Sequence, residues 1–382
     1  MSIYEELCGY WRESVFNWER SPLMNPPQVV RYYDASRNQF CNGLLHGEDQ
    51  TYHVDHMNDG PAESNLFLSP GWIDMHTHIF DGFGLFGTNA DDIGYKTGTC
   101  LLVDAGTVGE FTYHGFTTYV APTIQTKYKL FLCISPIGVI FHHDYNAMEY
   151  LNGDRCAQFI RDHRDLITGV KVRMGSETIR HEGLEPLKLA SEAARKAGVP
   201  MMVHAGGNPP YLKDMEPYFE KGDIITHVFN GRGKDCWNPD GTPSTALQKL
   251  IDKGVWLDIG HGSSSFDFHV FENALKHPLP HLLMGTDLHQ SSVKKLVKNM
   301  GCLLSKLYGC GVPLEEIMYG VTAGPAKALG LTDWCDLRNV KNATLFRILD
   351  HTETYEDCQG NSRIFHKAIQ PDGVILNGKA MF

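Results

Sequence analysis

The sequence predicts an α/β protein, a (β/α)8 barrel with a small β-rich domain drawn from the two chain ends, and three observations lead there. From Gly71 onward, eight short apolar runs alternate with longer amphipathic segments, as strand–helix units around parallel strands do. The eight alternations fit within about the ~250 residues typical of that barrel. An open doubly wound sheet is the alternative, but it would bring a glycine-rich phosphate loop after an early strand, and no GxxxxGKS/T stretch occurs. At 382 residues the chain can bury a large core, and length alone also allows two ordinary domains.

In chain order, residues 1–69 mix aromatic and polar residues around Pro26-Pro27, with only short strand-like runs at Tyr52–Val54 and Leu66–Leu68. This stretch is read as the N-terminal part of the small β-rich domain, irregular and without an evident pair of opening strands. The barrel is assigned to residues 70–330. Its expected strands are Trp72–His76, Thr99–Ala105, Tyr128–Ser135, Ile167–Arg173, Val199–His204, Asp223–His227, Val255–Gly260 and His281–Asp287. Between the fourth and fifth, Leu184–Ala197 repeats Leu187, Ala190, Ala194 and Ala197 at helical spacing, carries Pro186 in its first turn and stops at Gly198. That pattern predicts a crossover helix. Helical segments follow the eighth strand at Ser291–Leu307 and Pro313–Leu329, and residues 331–382 return to strand-like runs as the C-terminal part of the small domain.

Composition narrows the function. A net charge of -11 and the lack of clustered Lys and Arg argue against a nucleic-acid or anionic-membrane partner. The ten cysteines are scattered without a CxxC pair, which favours free, mostly buried thiols over a disulfide framework or thiolate zinc site. No apolar run reaches membrane-spanning length and the N-terminus has no signal-peptide core, so a cytoplasmic protein is expected. Nineteen histidines are the one compositional oddity.

Those histidines fall at strand ends. Residues i and i+2 of a strand point to the same side, so His76 and His78 in GWIDMHTHIFDG aim both imidazoles at one point, with Asp74 in the same phase. Two converging neutral imidazoles make half of a metal site, although an isolated HxH is equally compatible with packed or hydrated loop histidines. Further strand ends supply Lys171 and Arg173 (ITGVKVRM), His204 (MMVHAGG), His227 (IITHVFNG) and Asp287 (LLMGTDLH). Each alone has an ordinary explanation, a hydrogen-bonded core histidine or a snorkelling lysine. Together, in barrel order, they point to a metal centre.

With this set on strands one, four, five, six and eight, the chain resembles the amidohydrolase superfamily over Pro70 to about Gly330. The resemblance implies that Lys171 is carboxylated by carbon dioxide to N6-carboxylysine and bridges two divalent ions, zinc being the expected metal. His76, His78 and Asp287 would hold one ion, and His204 and His227 the other. A carbamate suits that role, since a free lysine with a pKa of ~10.4 is a cation and a poor ligand beside two dications. A hydroxide between the ions would be the nucleophile, and Asp287 would take its proton and pass it to the leaving group. Serines and cysteines near strand ends, such as Ser263–Ser265 and Cys236, are then turn or packing residues.

Longer matches, GWIDMHTHIFDG, the DAG of Asp104–Gly106, GVKVRM and GTDLH, resemble a branch once labelled dihydroorotase or adenine deaminase. Its members deacylate small acids, including N-acetyl-D-amino acids and acetylated α-hydroxy acids. The resemblance therefore implies a metal-dependent hydrolase of acyl amides or esters of small α-substituted carboxylic acids. Arg173, two residues after Lys171, could pair bidentately with a substrate carboxylate or serve a structural ion pair; His261, in LDIGHGS, could donate to substrate or support the site from behind. Phe80 stands where dihydroorotases carry an arginine, and Gly324 replaces the family's usual asparagine before proline. A cyclic amidohydrolase or deaminase with the same centre is the alternative, and a non-catalytic ligand-binding barrel is ranked last. Self-association is an expectation from fold-level analogy alone.

Overall fold

The computed structural model describes residues 27–48, 51–57, 64–142, 145, 147–233 and 235–381. The first part of the lead-in, with Pro26 and Cys8, lies outside the described residues. Two sheets organise the rest.

The first sheet contains β1 (Gln28–Asp34), β2 (Gln39–Glu48), β3 (Thr51–His56) and β4 (Leu66–Pro70) from the start of the chain. β1 and β2 form an antiparallel pair in which Gln28 faces Leu45 and Asp34 faces Gln39. The lead-in is thus β-rich, as one of its two expected readings had it, and it contains the pair of opening strands that the sequence did not make evident. The pattern is hidden because one face stays wet: along β1, Val30 and Tyr33 are buried while Val29 and Arg31 are exposed, and polar residues interrupt any apolar run.

The barrel follows β4 after one residue, Gly71. Its strands are β5 (Trp72–Thr77), β6 (Thr99–Ala105), β7 (Lys127–Cys133), β8 (Ile167–Arg173), β9 (Met201–His204), β10 (Ile224–Thr226), β11 (Trp256–Asp258) and β12 (Leu282–Leu283). They pair in sequence order into an eight-stranded sheet, each pair parallel. A parallel bridge between Thr77 and Leu288 joins last strand to first. Two further backbone bonds, His78 N to Leu288 O at 3.0 Å and Asp287 N to His76 O at 2.7 Å, complete the closure at the C-terminal rim. β6 and β8 have the expected bounds. β12 does not: the run expected over His281–Asp287 forms a two-residue strand, because Asp287 turns into the left-handed region at φ 51° and takes up the rim instead.

Alternation along the strands divides the core in two. Leu101, Val103, Ala105, Met202, Ile224 and Trp256 share one buried cluster, while Leu102, Val170, Val172, Val203, Ile225 and Leu257 share the other with the surrounding helices. Lys171 lies between Val170 and Val172, so it projects opposite to them.

The expected crossover helix spans Glu185–Ala197, buries Leu187, Ala190, Ala193 and Ala194, and ends at Gly198 in the left-handed conformation. The segment expected over Ser291–Leu307 is helical only at Met300–Gly309, the preceding residues forming turns. Asn299 caps that helix by accepting from Cys302 N. Pro313–Leu329 divides into Leu314–Val321 and Ala323–Ala328.

From the chain's other end come β13 (Asn342–Glu356), β14 (Ser362–Leu376) and β15 (Lys379–Met381). They complete the first sheet in the order β15-β14-β13-β4-β1-β2-β3, so both ends meet at the β13–β4 pair, where Ala343 faces Pro70. The β13–β14 hairpin is also anchored to the barrel: Ile369 N donates to Ser305 Oγ at 2.8 Å and Phe268 N to Asp357 Oδ2 at 2.9 Å. Among the described residues no helix is long and apolar enough to cross a membrane, and the described cysteines are free.

Candidate metal centre

The C-terminal strand ends bring His76, His78, Lys171, His204, His227 and Asp287 together. One ligand atom each from His76, His78 and Asp287 lies within 4.8 Å of the others. Asp287 Oδ1 stands 3.1 Å from His78 Nε2 and 3.5 Å from His76 Nε2. Lys171 Nζ is 3.2 Å from His76 Nε2. The His227 ring centre is 5.1 Å from that of His76 and 4.2 Å from that of His204.

The groups behind these side chains fix which atoms face inward. His76 Nδ1 donates to Asp258 Oδ2 at 3.0 Å, and His227 Nδ1 donates to the Gly260 carbonyl at 2.7 Å. In both rings the Nε2 lone pair is therefore left facing the cluster. His78 Nδ1 lies 2.7 Å from Thr107 Oγ1, and Thr107 is held in turn by its N–H on Asp104 Oδ1 at 2.7 Å. Asp104 also accepts from Ile79 N at 2.9 Å, so the DAG motif fastens the loop that carries His78. Asp74 does not reach the cluster. It accepts from His76 N at 3.1 Å and Thr286 N at 3.0 Å, tying the first strand to the last.

Two site residues sit in strained backbone, His227 at φ 69° and Asp287 at φ 51°, where a side chain costs roughly 1–2 kcal/mol. Glycines make room beside them. A Cβ on Gly262 would stand 2.2 Å from Asp287 Oδ2, and one on Gly106 2.7 Å from Lys171 Cβ and Cγ.

Burial dominates the electrostatics. It pushes the Lys171 ammonium down to about 8, with Asp287 and Asp258 opposing. Burial, then the Lys171 charge, hold the His76 imidazole well below its usual range, and burial with His204 does the same for His227. Burial alone would raise the Asp287 carboxyl, but His76 and a hydrogen bond from His78 hold it well below the usual carboxylate range. At neutral pH the site thus offers the uncharged imidazoles of His76 and His227, the Asp287 carboxylate and a lysine able to shed its proton. Those are the forms that bind metal or carbon dioxide. Ligand atoms around a tetrahedral cation at ~2.0–2.1 Å stand about 3.3 Å apart, and the His78–Asp287 and His76–Asp287 separations bracket that value, so the donor set fits a divalent ion.

His204 is arranged differently: its Nε2 donates to Glu177 Oε1 at 2.7 Å. Glu177 also accepts from Gly207 N at 3.2 Å, and although burial raises its carboxyl, the His204 hydrogen bond holds it below its ordinary value. Nothing in the sequence pattern marks Glu177, since it follows β8 in a loop.

The remaining predicted residues divide. Arg173 is buried with its guanidinium 5.6 Å from the Phe86 ring centre, and its Nη1 donates to Phe141 O at 3.3 Å. His261 is fully buried and held on both nitrogens. Nδ1 donates to the Gly262 carbonyl at 2.9 Å, and Nε2 accepts from Lys306 Nζ at 3.0 Å. Lys306 itself donates to the carbonyls of Leu296 and Glu356 at 2.6 and 2.8 Å. His261 therefore faces the anchor of the first sheet's β13–β14 hairpin rather than the ligand cluster. His289, which sequence reasoning passed over, faces the cluster instead: its Nδ1 accepts from Ser291 N at 3.3 Å, leaving Nε2 as a donor, 3.5 Å from Ser263 Oγ. Its ring centre is 6.3 Å from that of His78 and 5.7 Å from that of Phe86. Phe80 is buried against Phe83 and Phe116, and Cys236 is buried as expected.

Comparison with known proteins is consistent across three kinds of similarity. Residues 67–379 match the family described as Amidohydrolase family. A protein named Deacetylase from Enterococcus faecalis is 32% identical over 328 residues, covering 83% of this chain and 87% of its own. Deacetylase Atu3266 from Agrobacterium fabrum is 28% identical over 370 residues, covering 94% of this chain and 91% of its own. Among solved structures, one titled as an adenine deaminase superposes with a TM-score of 0.83 at 27% identity, over 92% of this chain and 98% of its own.

Proposed function

This chain belongs to the amidohydrolase family, and on that premise we propose that it cleaves an acyl amide or ester of a small α-substituted carboxylic acid, such as an N-acetyl-D-amino acid or an acetylated 2-hydroxy acid. The observation that carries the reading is the convergence of His76, His78 and Asp287 within 4.8 Å at the barrel rim, with buried Arg173 on the same strand as Lys171. The names of the two deacetylase relatives support the reaction type.

In this reading His76, His78 and Asp287 would hold one divalent ion and His204 and His227 a second, zinc in each case, with Lys171 shared between them. The ions would supply an acidified water and polarise the scissile carbonyl. Lys171 would first lose a proton, which its burial favours, and its nitrogen would then bond to the carbon of carbon dioxide. A second proton leaves, and the product is a carbamate anion with two hard oxygens. Asp287 accepts the proton of the attacking water at a carboxylate oxygen and gives it to the leaving nitrogen or oxygen as the acyl bond breaks. Arg173 would pair with the substrate carboxylate beneath the Phe86 ring, and the His289 Nε2 donor would meet the substrate's polar edge.

A second reading, attack on a ring amide or amidine, draws on the neighbour titled as an adenine deaminase. Phe80 in the place of a ring-binding arginine, enclosed by Phe83 and Phe116, weighs against it. The test is mass-spectrometric detection of hydrolysis by protein supplied with zinc and bicarbonate. One pool holds acetylated amino and hydroxy acids of both configurations, the other cyclic amides, ureas and aminopurines. Deacetylated products from the first pool alone support the proposal; turnover only in the second replaces it with the ring reading.

A further inference from the structure

A second group of metal-type ligands lies in the other sheet, on the β2–β3 hairpin. His46 on β2 stands directly opposite His53 on β3. Asp55, two residues along β3, shares the face of His53 because strand side chains alternate. The two imidazoles are stacked with ring centres 4.7 Å apart and planes within 1°, and both turn Nε2 toward the Asp55 carboxylate. Nε2 of His46 lies 3.1 Å from Asp55 Oδ2, and Nε2 of His53 lies 3.9 Å from Oδ1. The three ligand atoms fall within 4.8 Å of one another, as do those at the barrel rim.

His46 Nε2 is buried and makes no aligned hydrogen bond, although it faces a carboxylate oxygen at 3.1 Å. A buried lone pair facing an anion is repulsive unless a proton or a cation lies between them. Two imidazole nitrogens and one carboxylate oxygen suit zinc-class ions, whereas calcium and magnesium prefer all-oxygen shells. His56 is not part of the set: it lies on the opposite face, with Nδ1 3.0 Å from the Tyr32 hydroxyl.

We propose that His46, His53 and Asp55 form a metal site separate from the barrel rim, taking one divalent transition ion such as zinc and leaving a fourth position to water. The ion crosslinks β2 to β3, the edge strand of its sheet. It can do so only when the hairpin register is correct, so binding favours the paired hairpin. None of the three side chains belongs to the rim cluster, and the proposal stands whether or not the reading of that cluster does.

The experiment uses the full chain with its barrel centre already supplied with zinc. Zinc per chain is measured by plasma mass spectrometry after gel filtration, for wild type and for His46→Ala, His53→Ala and Asp55→Asn. In parallel, modification of individual histidines by diethyl pyrocarbonate is mapped by peptide mass spectrometry with and without added zinc. The wild type is expected to carry one zinc more than either histidine variant at equal hydrolytic activity. Zinc should slow modification of His46 and His53 by about tenfold or more, as an occupied site would. Equal zinc content in wild type and variants overturns the proposal, as do modification rates that ignore zinc, which would leave a protonated histidine clasp on Asp55. Should the variants fail to fold, the protection measured on the wild type decides alone.

Discussion

Burial changes the acid–base chemistry open to Lys171. It is fully buried with Nζ 3.2 Å from His76 Nε2 and 3.3 Å from Met202 Sδ, surroundings that favour the neutral amine. Replacement Lys171→Ala is expected to lose rim metal and activity together, with partial recovery on adding a short carboxylic acid; metal occupancy that survives the change rejects the carbamate. For Asp287→Asn the expectation is retained fold and a turnover loss on the order of 10²–10⁴, the usual worth of a positioned base, read from kcat at neutral pH. Near-normal turnover there removes Asp287 as the proton carrier. Arg173→Met should lower kcat/KM for substrates bearing a carboxylate far more than for neutral esters, and equal losses would make it structural. These residues were legible because each ends an apolar run in a chain whose runs recur regularly. The same strand-end rule applied to the seventh strand would also have found Asp258, the partner of His76. Glu177 and His289 were not legible, since loop residues reach the site through turns that no periodicity records. For His261 the sequence left substrate contact and support from behind equally open, because only the fold reveals that Lys306 occupies its Nε2.

At the scale of elements, the βα turns and the loops after them set the ligand geometry. Gly262 follows β11 at φ 49°, and an added Cβ would meet Asp287 Oδ2 at 2.2 Å. Gly262→Ala should therefore leave the protein folded yet lower turnover at least about tenfold, a displacement of the base worth ~1.4 kcal/mol or more; unchanged kcat would show that the rim adapts. Helix Thr245–Lys253 illustrates a different coupling. Lys253 Nζ lies 2.5 Å from Glu216 Oε1 and also donates to Glu216 O at 3.0 Å. Its hydrogen bond holds the Glu216 carboxyl below the ordinary value against a smaller raising effect of burial. A depressed carboxyl stabilises the fold above its unfolded pKa and loses that contribution as pH falls through its folded value. Because Lys253 is about one-third exposed, solvent screening limits the pair to about 0.5–1 kcal/mol. Urea melts should show Glu216→Gln weaker than wild type at pH 7 and the two converging below about pH 4; a difference constant with pH would rule out the charge. Long elements with clear punctuation, such as Glu185–Ala197 between Pro186 and Gly198, were legible to within a residue. The eighth strand was not, because its apolar run continues past Leu283 into backbone that turns to place Asp287.

For the whole molecule, both chain ends meet in one sheet whose β4 runs through Gly71 into the first barrel strand, and whose β13–β14 hairpin reaches the barrel again at Ser305 and Phe268. The barrel was legible because parallel strands buried on both faces read as continuous apolar runs. β1 and β2 were not, because their wet face breaks the run. Closure of the barrel and assembly of the rim cluster draw on the same residues, since the bonds that join last strand to first flank His76, His78 and Asp287. Chelation of the rim metal should thus lower the melting temperature of the whole barrel, not of the first sheet alone. The most direct test is a crystal structure of the zinc- and bicarbonate-treated protein with anomalous data at the zinc edge. The account predicts two peaks at the rim among His76, His78, His204, His227 and Asp287, with density beyond Lys171 Nζ for a carbamate bridging them. Zinc absent from that cluster, or Lys171 density ending at Nζ with the metals in place, would contradict it.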